Sequence, residues 1–367
     1  MFTVRVVTTL REFETLADQW TGLLKGTKAD NIFLTWEWQY TWARHFLGQQ
    51  RLWIVLVYDG GRLVGIAPFY IREHSASMVK VREILFLATE GVGSSYLDFI
   101  VSEGDKKAVL YSIYRHLHEE ARGLWDVLTL GEIPAESRSL DLWDGFVGEV
   151  GRVVEIVGMT ACPFIALTER VEDFLSSLSG NERYNLRRKQ RWLEEMGQVA
   201  YQRASSDGEI EKAMDVFIRL HQMRWGQKGS GGVFRSDQVV QFHLDIARLF
   251  SEKGWIQLDF LLLDGEMIAG IYGYGYNGRY SFYLPGFNPA IAPKASPGIL
   301  LLFHRIEKAI EEEYRVFDLL RGAPDYKIAW ANGLRRSLTL RYYNRHLRAA
   351  GMKLVESGKS VVKVLVR

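Results

Sequence analysis

Two residues stand out as groups able to move a proton. Asp318 lies in "VFDLLR" (316–321), a stretch otherwise as apolar as a buried strand. An acid in that setting needs a partner or a task, so it is either a general base or half of a buried ion pair. Period-two alternation puts it on the strand face of Val316 and Leu320. His221 flanks the apolar helical stripe Met214, Phe217 and Leu220, just ahead of the glycine-rich "GQKGSGG" (226–232). It is a second base candidate or a satisfied edge residue. The glycine-rich run is either a mobile lid or a plain connection.

A third feature concerns anions. "KASPGILLLFHRI" (294–306) begins an apolar helix with Lys294, Ser296, Pro297 and Gly298, and with no acidic residue. Helix starts favour Asp or Glu, because the exposed amides and the macrodipole make that end positive. An anionic ligand can supply the missing charge. The structural alternative is Ser296 as N-cap and Pro297 as the first helical residue. A charge at a helix end contributes about 0.3–1 kcal/mol, against about 8 kcal/mol for micromolar affinity. The remainder must come from apolar burial and from backbone contacts along "YSFYLPGF" (280–287), which contains Leu284 and Gly286.

These residues need a scaffold, and the composition supplies one. The chain has 367 residues, 47% hydrophobic and 25% charged, enough apolar material for two globular domains. A net charge of +2 argues against a general polyanion binder. Cys162 is the sole cysteine, so neither an internal disulfide nor a Cys-rich metal site is expected. The N-terminus lacks the apolar core of a signal peptide. No fully apolar run approaches the ~20 residues that span a bilayer. The expectation is a cytoplasmic protein. The basic tail "KLVESGKSVVKVLVR" (353–367) reads as a solvated terminal helix or as a peripheral membrane contact.

The chain also reads twice. "RLWIVLVYDGGRLVGIAPFYI" (51–71) and "WIQLDFLLLDGEMIAGIYGYGY" (255–276) each hold two apolar runs around an Asp-Gly turn, and a further strand follows Asn277-Gly278. In the first half, a strand "SSYLDFIV" (94–101), a helix (106–121) and a strand "WDVLTLGEI" (125–133) follow. In the second half the matching segments are 280–287, 298–313 and "RVFDLLRGA" (315–323). Aligning Pro134 with Pro324 sets Leu128 against Asp318. Amphipathic helices precede the strands in each half. A strand, a helix and a parallel strand form a crossover unit. Glu103 and Asp105 already complement the first-half helix start and would repel a phosphate, so the second half is the side open to an anion. Between the halves, a helix from about Glu182 to Gly197 carries Arg183, Arg187, Arg188, Lys189 and Arg191. It is a solvated connector or an anion-facing helix over the cleft between halves.

The order of "IFLTWEWQYTW" (32–42), "LVGIAPFY" (63–70), "YLDFIV" (96–101), "NLRRKQRWLEEMG" (185–197), "LHQMRW" (220–225), "IAGIYGYGY" (268–276), "FYLPGFNP" (282–289), "SPGILLLFHRIEKAI" (296–310) and "FDLLRGAPDYKIAWA" (317–331) resembles the CelD/BcsL-like acetyltransferases, relatives of the Fem-type aminoacyl transferases. The resemblance implies an α/β (α+β) chain of two tandem GNAT-like acyl-CoA N-acyltransferase folds, each a mixed sheet flanked by helices. It implies an acceptor-side domain over 1–165, a basic connecting helix over 166–198, a donor-side domain over 199–350 and a basic tail over 351–367. The implied reaction moves an acyl group, acetyl first, from acyl-CoA to an amine or hydroxyl of a glycan or small molecule, without metal, in bacterial polysaccharide or envelope assembly. The pyrophosphate maps onto Ser296, Pro297, Gly298 and Ile299, with Lys294 beside them. The usual phosphate loop has Arg or Gln and two spaced glycines, whereas this chain offers Lys294 and Gly298.

Direct acyl transfer needs a base, donors for the oxyanion and two substrates held in line. Asp318 and His221 are the base candidates. Lys327 is a ligand for a substrate carboxylate, sugar or phosphate, or a surface lysine. Tyr283 and Tyr326 are acids for the leaving thiolate, or packing. Asp98 faces the acceptor in this reading, with Arg224, Trp225 and Tyr326 as further substrate contacts. Trp36, Trp38 and Trp42 are core residues or a sugar shelf. Nucleic acid enters only in the alternative of a Fem-type transferase fed by aminoacyl-tRNA, which the basic helix at Arg187–Arg191 would bind with strong salt dependence. A non-catalytic scaffold in polysaccharide assembly is the other alternative, and the oligomeric state stays open.

Overall fold

The structure, a computed structural model, describes residues 2–76, 79–149, 154–204, 207–226 and 232–344. The basic tail at 351–367 and most of the glycine-rich segment, 227–231, lie outside the described residues. In chain order the elements are β1 (Phe2–Val7), α1 (Leu10–Glu14), α2 (Ala17–Leu24), α3 (Trp36–Phe46), β2 (Arg51–Asp59), β3 (Arg62–Ala76), β4 (Val79–Phe86), β5 (Ile100–Val101), α4 (Lys106–Arg115), β6 (Val127–Pro134), α5 (Arg138–Glu149) and β7 (Val154–Ala166). There follow α6 (Val171–Ser177), α7 (Gly180–Glu194), β8 (Val199–Arg203), α8 (Asp207–Gly226), α9 (Asp237–Glu252), β9 (Ile256–Leu263), β10 (Glu266–Tyr276), β11 (Arg279–Phe287), α10 (Pro297–Glu311), β12 (Val316–Asp318), α11 (Asp325–Ile328) and β13 (Gly333–Tyr343).

The chain divides into two compact units, Met1–Ala161 with Arg335–Arg367, and Cys162–Leu334. Residues 335–344 thus join the first unit, although they follow the second in sequence. In the first unit the strands lie in the order β1, β2, β3, β4, β6, β13. Its parallel pair is β4 with β6. In the second unit the order is β8, β9, β10, β11, β12, and then the end of β7. Its parallel pair is β11 with β12.

Local chemistry explains the hairpins. Gly60 and Gly61 have φ of 53° and 88°, and Asp264 and Gly265 have 50° and 80°. Asn277 and Gly278, at 48° and 68°, complete the set. Two consecutive left-handed residues form the turn that matches strand twist, which is why Gly-Gly, Asp-Gly and Asn-Gly sit there. The connecting helix α7 starts with a capping box, Ser179 exchanging hydrogen bonds with Glu182.

The internal repeat holds, with two corrections. The first-unit counterpart of β11 is β4, which is antiparallel to β3 and parallel to β6. The segment 94–101, expected as that strand, forms only the two-residue β5. Tyr96 adopts φ 59° and Asp98 turns its carboxylate back onto the Phe99 amide, which breaks strand geometry. The expected strand at 315–323 is also shorter, ending at Asp318, because Leu320 takes φ 56°. Trp38 and Trp42 are buried, their indoles donating to Ser94 Oγ and Glu90 O, while Trp36 stacks on Tyr40. They belong to packing rather than to a sugar shelf.

Candidate active site

The chemistry-bearing residues of the second unit gather where two strands part. Arg279–Ser281 of β11 pair with Val316–Asp318 of β12. Beyond that point β11 runs on to Phe287, whereas Leu319 donates its amide to Pro163 O instead. A wedge opens between the strands, and the edge of Phe282–Phe287 that faces away from β10 has no strand partner among the described residues. The register against β10 passes from Tyr272–Leu284 to Gly273–Phe282, so Tyr283 is the extra residue of a bulge.

The far end of β11 is clipped to α8. His221 Nδ1 and Arg224 Nη1 both donate to Pro285 O, each at 3.0 Å. Gly286 makes this possible, because a Cβ there would lie 2.7 Å from the His221 amide nitrogen. His221 Nε2 accepts from the Val233 amide at 3.3 Å, which fixes the neutral tautomer protonated on Nδ1. Burial, opposed by the Pro285 hydrogen bond, pushes its pKa down to about 4. His221 is buried and both ring nitrogens are engaged, the satisfied residue of the two readings. Trp225 packs beside it, with ring centroids 6.1 Å apart.

Arg224 is the hub of a second set of contacts. Its guanidinium lies over the Phe287 ring at 5.4 Å and over Trp225 at 5.5 Å. It also reaches the Tyr326 hydroxyl, whose pKa burial raises. Lys327 follows on α11 and is buried, with Nζ donating to Leu319 O at 2.5 Å and to Arg321 O at 3.0 Å. Burial lowers its pKa to about 8, against the opposing pull of Cys162 and Asp318. Its ammonium lies 5.9 Å from the Phe282 ring.

Asp318 stands at the fork itself, fully buried. Oδ1 accepts the Leu320 amide at 2.9 Å, and Oδ2 lies 3.6 Å from Arg279 Nη1. This is the ion-paired arrangement of the two weighed from sequence, and it stabilises the left-handed turn that ends β12. Tyr283 packs against His243, Tyr272 and Tyr274, with centroids 5.1–5.6 Å apart. Burial, chiefly, holds its hydroxyl well above the ordinary range and keeps it protonated. His243 was missed from sequence. It is fully buried on α9, with neither ring nitrogen hydrogen-bonded among the described residues, and burial pushes its pKa down to about 3. The signal was present in "QFHLDI", a histidine on the apolar face of an amphipathic helix.

The start of α10 adjoins the same strand end. A Cβ on Gly298 would lie 3.1 Å from the Phe287 ring. Ser296 occupies the N-cap position at φ 52°, and its side chain makes no capping hydrogen bond. Ile299 and Leu300 donate to Ser296 O, and Pro297 has no amide hydrogen, so among the described residues the Gly298 amide is the open donor of this turn. Instead of capping, Ser296 Oγ accepts from Lys189 Nζ of α7 at 2.5 Å. Burial and Arg188 lower the pKa of Lys189, whose charge sits at the positive end of a helix dipole. Lys294 is exposed one turn earlier. Helix, ammonium and lone amide together form a position where an anion would relieve repulsion.

Asp98 belongs to the first unit. It is buried and accepts from Ser137 Oγ at 2.5 Å and from the Phe99 amide at 2.7 Å. Burial, opposed by those hydrogen bonds, pushes its pKa up to about 6. No group of three or more His, Cys, Asp or Glu side chains able to hold a metal ion occurs among the described residues. No helix there is long and apolar enough to cross a membrane.

Residues 180–328 match the acetyltransferase (GNAT) domain family. No protein of curated function matches the sequence. Among solved structures, FemX is similar in fold at 12% identity and a TM-score of 0.63, over 96% of this chain and 100% of that one. L-PGS from Bacillus licheniformis follows at 14% identity and a TM-score of 0.52, over 95% and 96%. A tandem GNAT protein from the clavulanic acid biosynthesis pathway is similar at 14% identity and a TM-score of 0.50, over 94% and 99%. At these identities the likeness shows fold alone, a mixed α/β tandem GNAT fold.

Proposed function

We propose that the second unit transfers an acyl group, acetyl first, from acyl-CoA to an amine or hydroxyl of a small molecule or glycan, as in the CelD/BcsL-like acetyltransferases. The observation that carries this reading is the wedge between β11 and β12 beside the start of α10. An extended thioester arm can lie along the unpaired edge of Phe282–Phe287, and its pyrophosphate reaches Lys189 and the Gly298 amide.

The chemistry is direct transfer. The acceptor loses a proton, its nitrogen or oxygen bonds to the acyl carbon, and the carbon–sulfur bond breaks to release the CoA thiol. Lys327 is the base this geometry favours, because a pKa near 8 leaves part of the population neutral at physiological pH. Its two carbonyl partners use two of three ammonium protons, so the third is free to leave. Asp318 acts on Lys327 through charge, and Tyr326 or Tyr283, both held protonated, can return a proton to the thiolate. Backbone amides at the Tyr283 bulge are the candidate donors to the oxyanion.

Calorimetric titration with acetyl-CoA tests the donor site. Lys189→Ala is the cleaner variant than Gly298→Asp, since any side chain at 298 presses on Phe287. Saturable binding that Lys189→Ala weakens by roughly tenfold, the worth of one charge-assisted hydrogen bond, is the expected result. Absence of binding to any acyl-CoA, with salt-dependent binding of aminoacyl-tRNA, would replace the donor.

A further inference from the structure

A second site lies along the same helix and is not used by the reaction proposed above. α7 and α10 flank a groove of about 790 Å³, within the range of small-molecule sites. Its floor is aliphatic and aromatic. Leu186 and Leu300 are buried there, and Phe303 and Leu175 are half-buried. Its rim is basic. Arg187 and Arg191, one helical turn apart on α7, are exposed and have no carboxylate partner among the described residues.

Tyr184, exposed at the rim, offers its ring face to Arg188, and most of the other polar groups of the lining are already engaged. Arg183 caps the end of α6 through the carbonyls of Leu175, Ser176 and Leu178. Gln190 donates to Glu194 and accepts from the Tyr201 hydroxyl. His304 stacks on Tyr201 with centroids 3.8 Å apart. The one acid of the lining is Glu307, whose carboxyl burial and Glu311 push up to about 7, so it is only partly ionised at neutral pH and leaves the two arginines in excess. Two open guanidinium groups thus stand over a floor that is mainly aliphatic and aromatic. Such a floor offers few open groups to read a base edge or a sugar, but it accepts methylene chains, and the rim accepts a phosphate or carboxylate.

We propose that this groove binds the aliphatic chain of an anionic lipid monomer, with its head group held between Arg187 and Arg191. Dodecyl phosphate, kept below its critical micelle concentration, is the probe. The full chain is titrated calorimetrically with it, with inorganic phosphate, and with neutral dodecyl maltoside. The expected result is one dodecyl phosphate per chain, at least tenfold tighter than either control, and weakened at least tenfold by the pair Arg187→Ala and Arg191→Ala. Both arginines are exposed, so the fold is retained. Removing the exposed Arg11 and Lys25 together leaves affinity unchanged. Equal affinity for dodecyl maltoside, indifference to the arginine pair, or no binding overturns the proposal. So does displacement by CoA or by tRNA, which would assign the groove to a donor. Binding that persists at saturating CoA, or in a chain that fails to bind CoA, upholds the groove whatever becomes of the acyl-CoA reading.

Discussion

The burial of Lys327 has a consequence measurable without knowing the acceptor. Folding brings its pKa from the ordinary 10.5 to about 8. A lysine that binds protons less readily when folded makes stability rise with pH. The penalty is fully present below about pH 8 and vanishes above about pH 10.5. At about 1.4 kcal/mol per tenfold change, it amounts to about 3 kcal/mol at pH 7 and about 1 kcal/mol at pH 9.5. Lys327→Met removes the charge at similar volume, so every other titrating group cancels in the comparison. Urea unfolding of both proteins at the two pH values should show the natural chain gaining about 2 kcal/mol relative to the variant. A constant difference would mean that the ammonium is solvated and the burial argument is wrong. A change of opposite sign would mean that attraction to Asp318 outweighs desolvation. The same titration predicts acyl transfer that rises with pH and levels off above about 8, and is lost in Lys327→Met.

Three further outcomes follow from other residues. Gly286→Ala should cost about 1–3 kcal/mol in urea unfolding, because the new methyl meets the backbone of α8 at Leu220 and His221 and neither neighbour can yield cheaply. Asp98, held at about 6 against an ordinary 3.8, contributes stability that is present below pH 3.8 and lost as pH rises through 6. Asp98→Asn should therefore gain about 2 kcal/mol on the natural chain between pH 4 and pH 7, and parallel stability curves would refute the shift. His243→Phe should raise stability by about 1 kcal/mol, since the ring sits among Phe234, Phe242, Tyr272 and Tyr283 with nitrogens unpartnered among the described residues. A loss of stability would reveal a partner for the imidazole.

Much of the scaffold was legible because its causes are local. The three left-handed turns are written as Asp-Gly-Gly, Asp-Gly and Asn-Gly, and the helices as apolar periodicity, so hairpins and helices appear where the pattern puts them. The first-unit strand β4 was not assigned. Its "VKVREILF" carries Lys80, Arg82 and Glu83, which look unlike a central strand. The charges are tolerated because Arg82 pairs with Asp126, and Glu83 with Arg72 and Thr129, contributed by neighbouring segments. Arg305 is a similar case. It is buried in the apolar helix α10, where Asp259 and Glu312 meet it.

For the candidate site, the sequence by itself determined the unusual residues: an acid in an apolar strand, a helix start without an acid, and an arginine, a tyrosine and a lysine near segment ends. It also pointed to the second half as the side open to an anion. Only the tertiary structure decided their roles. It set Arg279 against Asp318, closed both nitrogens of His221, buried Lys327 under two carbonyls, and brought Lys189 to Ser296 across 107 residues. The reason is physical. A turn or a helix depends on residues a few positions apart, whereas a charge depends on burial and partners that the chain supplies from anywhere along its length.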